Sequence, residues 1–226
     1  QASAESCELF AVNLGISRKD GEINQYWDIY INEAKNCGFK LLSWNVWDKG
    51  MCGSIGNQTA MFGISHEWIF IFGKGKKELN RTVPNITKGI IVHGTQRLAD
   101  GSTPQVPDHR RKPVGEFKQL YTVSRITPLL ERNVGFNHPA AFPVRFPEEY
   151  ILACTDEDEL IYEPFGGAGT TLIAAEKNNR VCNIMEISPE YCEIIIKRYS
   201  KFVGNSDKVF LLQGEKAVPY KDIFDN

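Results

Sequence analysis

The sequence predicts an α/β fold, a Rossmann-like domain with a mostly parallel sheet and one inserted lobe. Three observations lead there. Residues 159–172, Glu-Leu-Ile-Tyr-Glu-Pro-Phe-Gly-Gly-Ala-Gly-Thr-Thr-Leu, pass from a short apolar strand through a glycine turn into a helix start. After the break at Asn178-Asn179-Arg180, a second strand-like stretch, Val181 to Glu186, completes a unit of strand, turn, helix and strand. The N-terminal third also alternates strand-like and helix-like segments, whereas the stretch from about 74 to 135 has little regular periodicity.

Taken in order, Leu9 to Gly15 reads as a buried strand and Tyr26 to Cys37 as an amphipathic helix ending at Gly38. Phe39 to Trp47 and Glu67 to Phe72 read as strands, with Trp44, Trp47 and Trp68 assigned to the core ahead of any pocket. Thr170 and Thr171 are placed to cap the helix through Leu172, Ile173, Ala174 and Ala175. Ser188-Pro189-Glu190 reads as the N-cap, first-position proline and first-turn acid of a last helix, whose apolar residues are Tyr191, Ile194, Ile195 and Tyr199.

Composition bounds the class. A chain of 226 residues, 42% hydrophobic and 24% charged, can bury one sizeable core and carry a smaller lobe. No apolar run approaches the ~20 residues of a membrane span and no secretion signal starts the chain, so a cytoplasmic enzyme domain is expected. The six cysteines, at 7, 37, 52, 154, 182 and 192, show no Cys-x-x-Cys spacing and read as reduced and structural, with no metal site. Net charge is only −2, but between Lys74 and Arg132 twelve Lys and Arg stand against five acids, a local +7 that leaves −9 elsewhere. That basic stretch suits loops that reach nucleic-acid phosphates, with His109-Arg110-Arg111-Lys112 its sharpest cluster.

The glycine turn is the strongest functional signal. Without Cβ atoms, Gly166, Gly167 and Gly169 can take left-handed dihedrals and let a ligand lie against backbone amides. Glu186 falls 23 positions after Glu163, near the roughly 20-residue offset at which an acid ending the second strand takes ribose hydroxyls. No Gly-Lys-Ser or Gly-Lys-Thr follows to clamp a triphosphate, and the run Gly166-Gly167-Ala168-Gly169 departs from Gly-x-Gly-x-x-Gly. An adenosyl ligand without pyrophosphate fits better.

Glu163-Pro-Phe-Gly-Gly-Ala-Gly-Thr-Thr171, with Asn183-Ile-Met-Glu-Ile187 and Ser188-Pro-Glu-Tyr191, resembles the S-adenosylmethionine site of amino-group DNA methyltransferases, which modify adenine N6 or cytosine N4. Upstream, His138-Pro-Ala-Ala-Phe-Pro143 and Pro147 to Leu152 resemble the segment that lies over the methionine part of the cofactor and leads into a helix. The resemblance covers most of 9–73 and 138–203. It implies a Rossmann-like S-adenosylmethionine-dependent methyltransferase fold in permuted order: a catalytic half at 1–73, a basic target-recognition lobe at 74–135 and a cofactor half at 136–226. The implied cofactor residues are His138, Pro139, Ala140 and Phe142 on the methionine side, with Glu163, Phe165, Gly166, Gly167, Gly169, Thr170, Thr171 and Glu186 at the turn. For DNA contact they are Arg97, Arg110, Arg111 and Lys112.

The resemblance further implies methyl transfer from S-adenosylmethionine to an exocyclic amine of a base flipped out of double-stranded DNA, adenine N6 ahead of cytosine N4. The family's acceptor signature is Asp, Asn or Ser followed by Pro-Pro and an aromatic residue, and Pro-Pro occurs nowhere in the 226 residues. No catalytic residue is therefore assigned. Either the signature lies upstream of Gln1 or this is a noncatalytic relative that needs a partner subunit. A homodimer, a restriction-modification setting in a bacterium, archaeon or phage, and an RNA or small-molecule methyltransferase stay open. Carbon-5 cytosine methylation is disfavoured, because it uses a cysteine after proline and none of the six cysteines follows one.

Overall fold

The structure, a computed structural model, describes residues 7–50, 63–75, 78–107, 110–128, 142–204, 209–213 and 216–220. In its first half the elements are β1 (Leu9–Leu14), β2 (Arg18–Lys19), β3 (Glu22–Ile23), α1 (Trp27–Asn36), β4 (Lys40–Asp48) and β5 (His66–Gly73). Among the described residues the middle holds β6 (Val83–Pro84), β7 (Phe117–Lys118) and β8 (Val123–Arg125). Then come α2 (Arg145–Cys154), β9 (Leu160–Glu163), α3 (Thr170–Lys177), β10 (Val181–Ile184), α4 (Pro189–Val203), β11 (Phe210–Gln213) and β12 (Lys216–Pro219).

One sheet has the order β1-β5-β4-β8 and a second, of two parallel strands, pairs β10 with β9. In the larger sheet β5 is antiparallel to both β1 and β4, and β8 joins β4 in parallel. Three of the four strands thus share a direction, but two of the three ladders are antiparallel, which corrects the expectation of a mostly parallel sheet. An apolar run such as Trp68 to Phe72 signals a strand buried on both faces without fixing its direction. The β4/β5 register slips between Leu41 and Ser43, and the bulge lays Leu42 over Gly73, where a Cβ would meet the Leu42 Cδ1 at 2.7 Å.

Alternation along β5 divides the core between two faces. Ile69 and Ile71 join Trp47, Ile126, Phe146 and Tyr150 beneath α2, with Trp47 stacked on Phe146 at 4.3 Å and its Nε1 donating to the Ile126 carbonyl at 2.8 Å. Phe70 and Phe72 face Phe39 and the α1 residues Ile31 and Ala34. Burying each of these side chains stabilises the fold by about 1.5–3 kcal/mol. Of the three tryptophans assigned to the core, Trp47 is buried, Trp68 is half-buried against Trp27, and Trp44 at the rim keeps 47% exposure. Helix α2 has a second apolar side: Ile151 packs with Ala174 and Ala175 of α3 and with Ile161 and Cys182 of β9 and β10. It is the packed link between the two sheets.

The middle of the chain is built from tight turns, with a lone bridge between Thr95 and Gln105. It is tied to the core at its start, where Asn80 Nδ2 donates to the carbonyls of Leu152 and Thr155 at 3.2 and 2.9 Å and to Asp156 Oδ1 at 2.9 Å. Among the described residues no helix is long and apolar enough to cross a membrane, and no group of three His, Cys, Asp or Glu side chains is placed to hold a metal. The five described cysteines are free thiols, and Cys52 lies outside the described residues.

Candidate cofactor site

Because β9 and β10 are parallel and in register to Glu163 and Ile184, their carboxyl ends lie side by side. The chain leaving β9 crosses to its neighbour at once: the Met185 amide donates to the Glu163 carbonyl at 2.9 Å and the Gly166 amide to the Met185 carbonyl at 2.7 Å. That crossing leaves no room for a side chain. A Cβ on Gly166 would lie 2.8 Å from the Ile184 Cγ1 and 2.9 Å from the Met185 carbonyl oxygen. Gly167 and Gly169 take φ of 52° and 75°, and the Gly169 amide closes the turn on the Gly166 carbonyl at 2.8 Å.

Helix α3 then begins at Thr170 with Gly169 as its N-cap and no side-chain cap. The expected capping by Thr170 and Thr171 is therefore corrected: a capping oxygen must precede the first helical residue, and Thr170 already occupies that place. The threonines instead brace the turn. Thr171 Oγ1 donates to Glu163 Oε2 at 2.9 Å, and Thr170 Oγ1 accepts from Arg198 Nη1 at 3.3 Å. At α4 the reading holds, with Ser188 accepting from the Tyr191 amide and Pro189 in the first turn.

Two carboxylates collect the amides of the turn. Glu163 Oε1 accepts from the Phe165 amide at 3.0 Å. Glu186 Oε2 accepts from the Gly167 amide at 2.7 Å and its Oε1 from the Ser188 amide at 2.8 Å, so one side chain joins the glycine turn, the end of β10 and the start of α4. The first-turn amides of α3 lack intrahelical acceptors, and the helix dipole makes this end attractive to negative charge. Beside the carboxylates, Phe165 and Ile187 stand 86% and 98% exposed and give the site two apolar surfaces. Beneath it, burial, assisted by the charge of Glu163, pushes the Cys182 thiol up to about 11. Ile187 and Ser188 fall within the stretches that carry the resemblance but were assigned no contact at the turn, and Arg198 was not singled out at all. An apolar residue directly after the acid that ends the second strand was the available signal for Ile187.

Glu163, Phe165, Gly166, Gly167, Gly169, Thr170, Thr171 and Glu186 are thus brought together. Phe142 packs edge-on to Phe146 at 5.4 Å in the core under α2, and His138, Pro139 and Ala140 lie outside the described residues. In the middle lobe Arg97, Arg110 and Lys112 are exposed. Arg111 turns inward: its Nε donates to the Val106 carbonyl at 2.9 Å, and its Nη1 and Nη2 reach His93 Nδ1 at 2.7 Å and Gln105 Oε1 at 3.5 Å.

The model of the DNA methylase family of N6 and N4 methyltransferases matches residues 9–197. This chain belongs to the DNA methylase family. It is 31% identical over 178 residues to the orphan methyltransferase M.BamHII of Bacillus amyloliquefaciens, an alignment that covers 75% of this chain and 66% of that protein. A shorter stretch of 54 residues is 43% identical to the type II methyltransferase M.PvuII of Proteus hauseri, covering 24% of this chain and 16% of that protein. Among solved structures, the cytosine-N4-specific PvuII DNA methyltransferase superposes with a TM-score of 0.60 at 21% identity, covering 87% of this chain and 67% of that one. The complex of M1.HpyAVI with S-adenosylmethionine gives 0.56 at 17%, covering 84% and 74%. These likenesses identify the fold as the Rossmann-like methyltransferase fold. This DNA methylase chain spans about two thirds of the length of M.BamHII and a smaller share of M.PvuII. The span matched by the family model takes in every strand that builds the glycine turn.

Proposed function

We propose that this chain binds S-adenosylmethionine at the glycine turn and serves methyl transfer to an exocyclic amine of a base in double-stranded DNA, adenine N6 ahead of cytosine N4. One observation carries the cofactor reading: the Glu186 carboxylate takes the Gly167 amide, so the acid that would hold a ribose is already fixed against the turn. A carboxylate oxygen can accept more than one hydrogen bond, so the amide contacts are compatible with a ribose hydroxyl on the same group. The residues fit an adenosyl group in other respects. Gly166 and Gly169 let the turn pack tightly on Ile184, Met185 and Ile195, Phe165 and Ile187 offer apolar faces to a flat ring, and the start of α3 suits a carboxylate.

The bound cofactor supplies an electrophilic methyl group on a sulfonium. The chain's part is to hold and align it: Glu186 on the ribose, the first-turn amides of α3, braced by Thr170 and Thr171, toward the carboxylate end, and His138, Pro139 and Ala140 along the methionine, with Phe142 in the core under α2. Alignment of donor and acceptor would account for much of the rate. Residues 74–135 serve as the recognition lobe between the halves 1–73 and 136–226; Arg97, Arg110 and Lys112 belong to its basic surface, and Arg111 braces the loop that carries them. An extrahelical base is required, because the amine inside a duplex is out of line for attack. The setting that fits is the cytoplasm of a bacterium or archaeon, or of a phage-infected cell.

Calorimetry with S-adenosylhomocysteine tests the cofactor reading. Saturable heat with the wild-type chain, and its loss in Glu186→Ala, is the expected result; wild-type protein that is folded but gives no heat contradicts it. Competition between duplex DNA and RNA separates those two substrate classes, and the +7 lobe weighs against a small-molecule substrate. In a second reading another chain supplies the acceptor signature. Methyl transfer to unmethylated DNA by this chain alone excludes it.

A further inference from the structure

We infer that Arg198 is a positioning residue for the cofactor turn: from beneath, it clamps the Ala168 carbonyl and the Thr170 hydroxyl and so fixes the one peptide orientation in which the turn can receive its ligand. The inference rests on the cofactor reading above and assigns a new residue to that site.

Arg198 lies in α4, on the same inward face as Ile195, and is 7% exposed. A guanidinium is costly to bury and is kept in a protein interior only where its donors are met. Here its Nη1 donates to the Ala168 carbonyl, the centre of the glycine turn, and to Thr170 Oγ1 at 3.3 Å, the first residue of α3. Ile195 supports the turn at an adjacent point, since a Cβ on Gly169 would meet its Cγ1 and Cγ2 at 3.1 Å.

The turn needs such a clamp. Its first half is tethered by the Gly166 amide to Met185 and the Gly167 amide to Glu186. Its second half is hinged between two glycines at positive φ, on either side of Ala168. Glycine takes either sign of φ at little steric cost, so rotation of the peptide joining Ala168 to Gly169 meets little resistance from side chains. Such a rotation would break the bond from the Gly169 amide to the Gly166 carbonyl and turn the Ala168 carbonyl, with its negative end, toward the ligand. The Arg198 guanidinium holds that carbonyl on the side away from the site. Helix α4 therefore acts at both anchors: its N-cap amide, on Ser188, fixes Glu186, and its interior arginine fixes the turn.

The experiment is calorimetric titration of S-adenosylhomocysteine into the wild-type chain, Arg198→Met, Arg198→Lys and Thr170→Val, with fold monitored by circular dichroism. Wild type is expected to bind at one site. Arg198→Met should weaken affinity roughly tenfold to hundredfold, the range for losing a hydrogen bond to a charged group, at unchanged stoichiometry. Arg198→Lys, which keeps the charge and one donor nitrogen without the planar fork, should recover part of that loss. Thr170→Val should weaken affinity by roughly threefold to tenfold. A merely structural role would instead lower the binding stoichiometry at constant Kd, and that result overturns the inference. If Arg198→Met does not fold, Arg198→Lys and Thr170→Val decide by the same criterion: wild-type Kd in both overturns it. No heat with folded wild-type protein overturns the cofactor reading, and this inference with it.

Discussion

Between Glu163 and Ser188 the amides of the turn are answered locally: Phe165 by Glu163, Gly166 by Met185, Gly167 and Ser188 by Glu186. Among the described residues between 78 and 128 the named elements are strands of two or three residues, and Arg97, Arg110 and Lys112 extend into water. The contrast matches what each region would hold under the proposed function. A small ligand of fixed shape is bound best by donors and acceptors aimed before it arrives, because ordering them afterwards subtracts from affinity. A polyanion presents a repeating charge, and exposed cations on short loops can meet it without one fixed geometry.

The sharpest break should come from adding a single carbon to the turn. Gly166→Ala would press its methyl against the Ile184 side chain and the Met185 carbonyl, a backbone atom that cannot move aside. We expect it to cost about 1–3 kcal/mol in urea unfolding and to abolish detectable binding of S-adenosylhomocysteine. No substitution of similar size in the middle lobe should do both. Glu186→Ala comes next. It removes two charge-assisted bonds from the site, and a loss of roughly a hundredfold in cofactor affinity with unchanged affinity for DNA is expected by calorimetry and gel shift.

The lobe should answer in the opposite sense. Replacing Arg97, Arg110 and Lys112 together by Ala should leave cofactor affinity unchanged while lowering the slope of log K against log salt for duplex DNA by about 2–3, at roughly 0.9 per phosphate contact. Arg111→Ala distinguishes scaffold from surface within the same cluster. Since its guanidinium holds Val106 and His93, we expect faster hydrogen exchange around those residues and a smaller change in the salt slope than any one of the three exposed cations produces.

Much of the cofactor region was legible because its causes lie within a few residues. The Ser188 cap, the break at Asn178-Asn179-Arg180 and the offset from Glu163 to Glu186 are local patterns, and each appears where it was read. What escaped depends on contacts between distant residues. The support that Arg198 gives to Ala168 spans 30 positions and leaves no pattern near either residue. The direction of β5 is fixed by its two neighbours, which an apolar run cannot report. The error over Thr170 and Thr171 is of another kind. Threonine before an apolar helix is a good cap signal, but Gly169, in the left-handed region and packed against Ile195, holds the capping place. In the lobe, Arg110, Arg111 and Lys112 are alike as sequence, and only the fold separates the inward arginine from its exposed neighbours.

The smallest effect concerns Cys182, under the site. Burial, with the nearby Glu163 charge, raises its thiol from 9.0 to about 11, so the folded state keeps a proton that the unfolded chain gives up earlier. The stabilisation is fully present below about pH 9 and fades as pH climbs toward 11. Urea midpoints for wild type and Cys182→Ala should therefore run parallel up to pH 9 and converge above it. A constant difference through pH 11 would contradict the assignment.

The most direct measurement of the central claim is a crystal structure of this chain with S-adenosylhomocysteine. The account predicts the ribose hydroxyls within hydrogen-bonding distance of the Glu186 carboxylate, the adenine between Phe165 and Ile187, and the Gly166 to Gly169 backbone unchanged. Electron density for the nucleoside anywhere else, or a ribose that leaves Glu186 without contact, would contradict it.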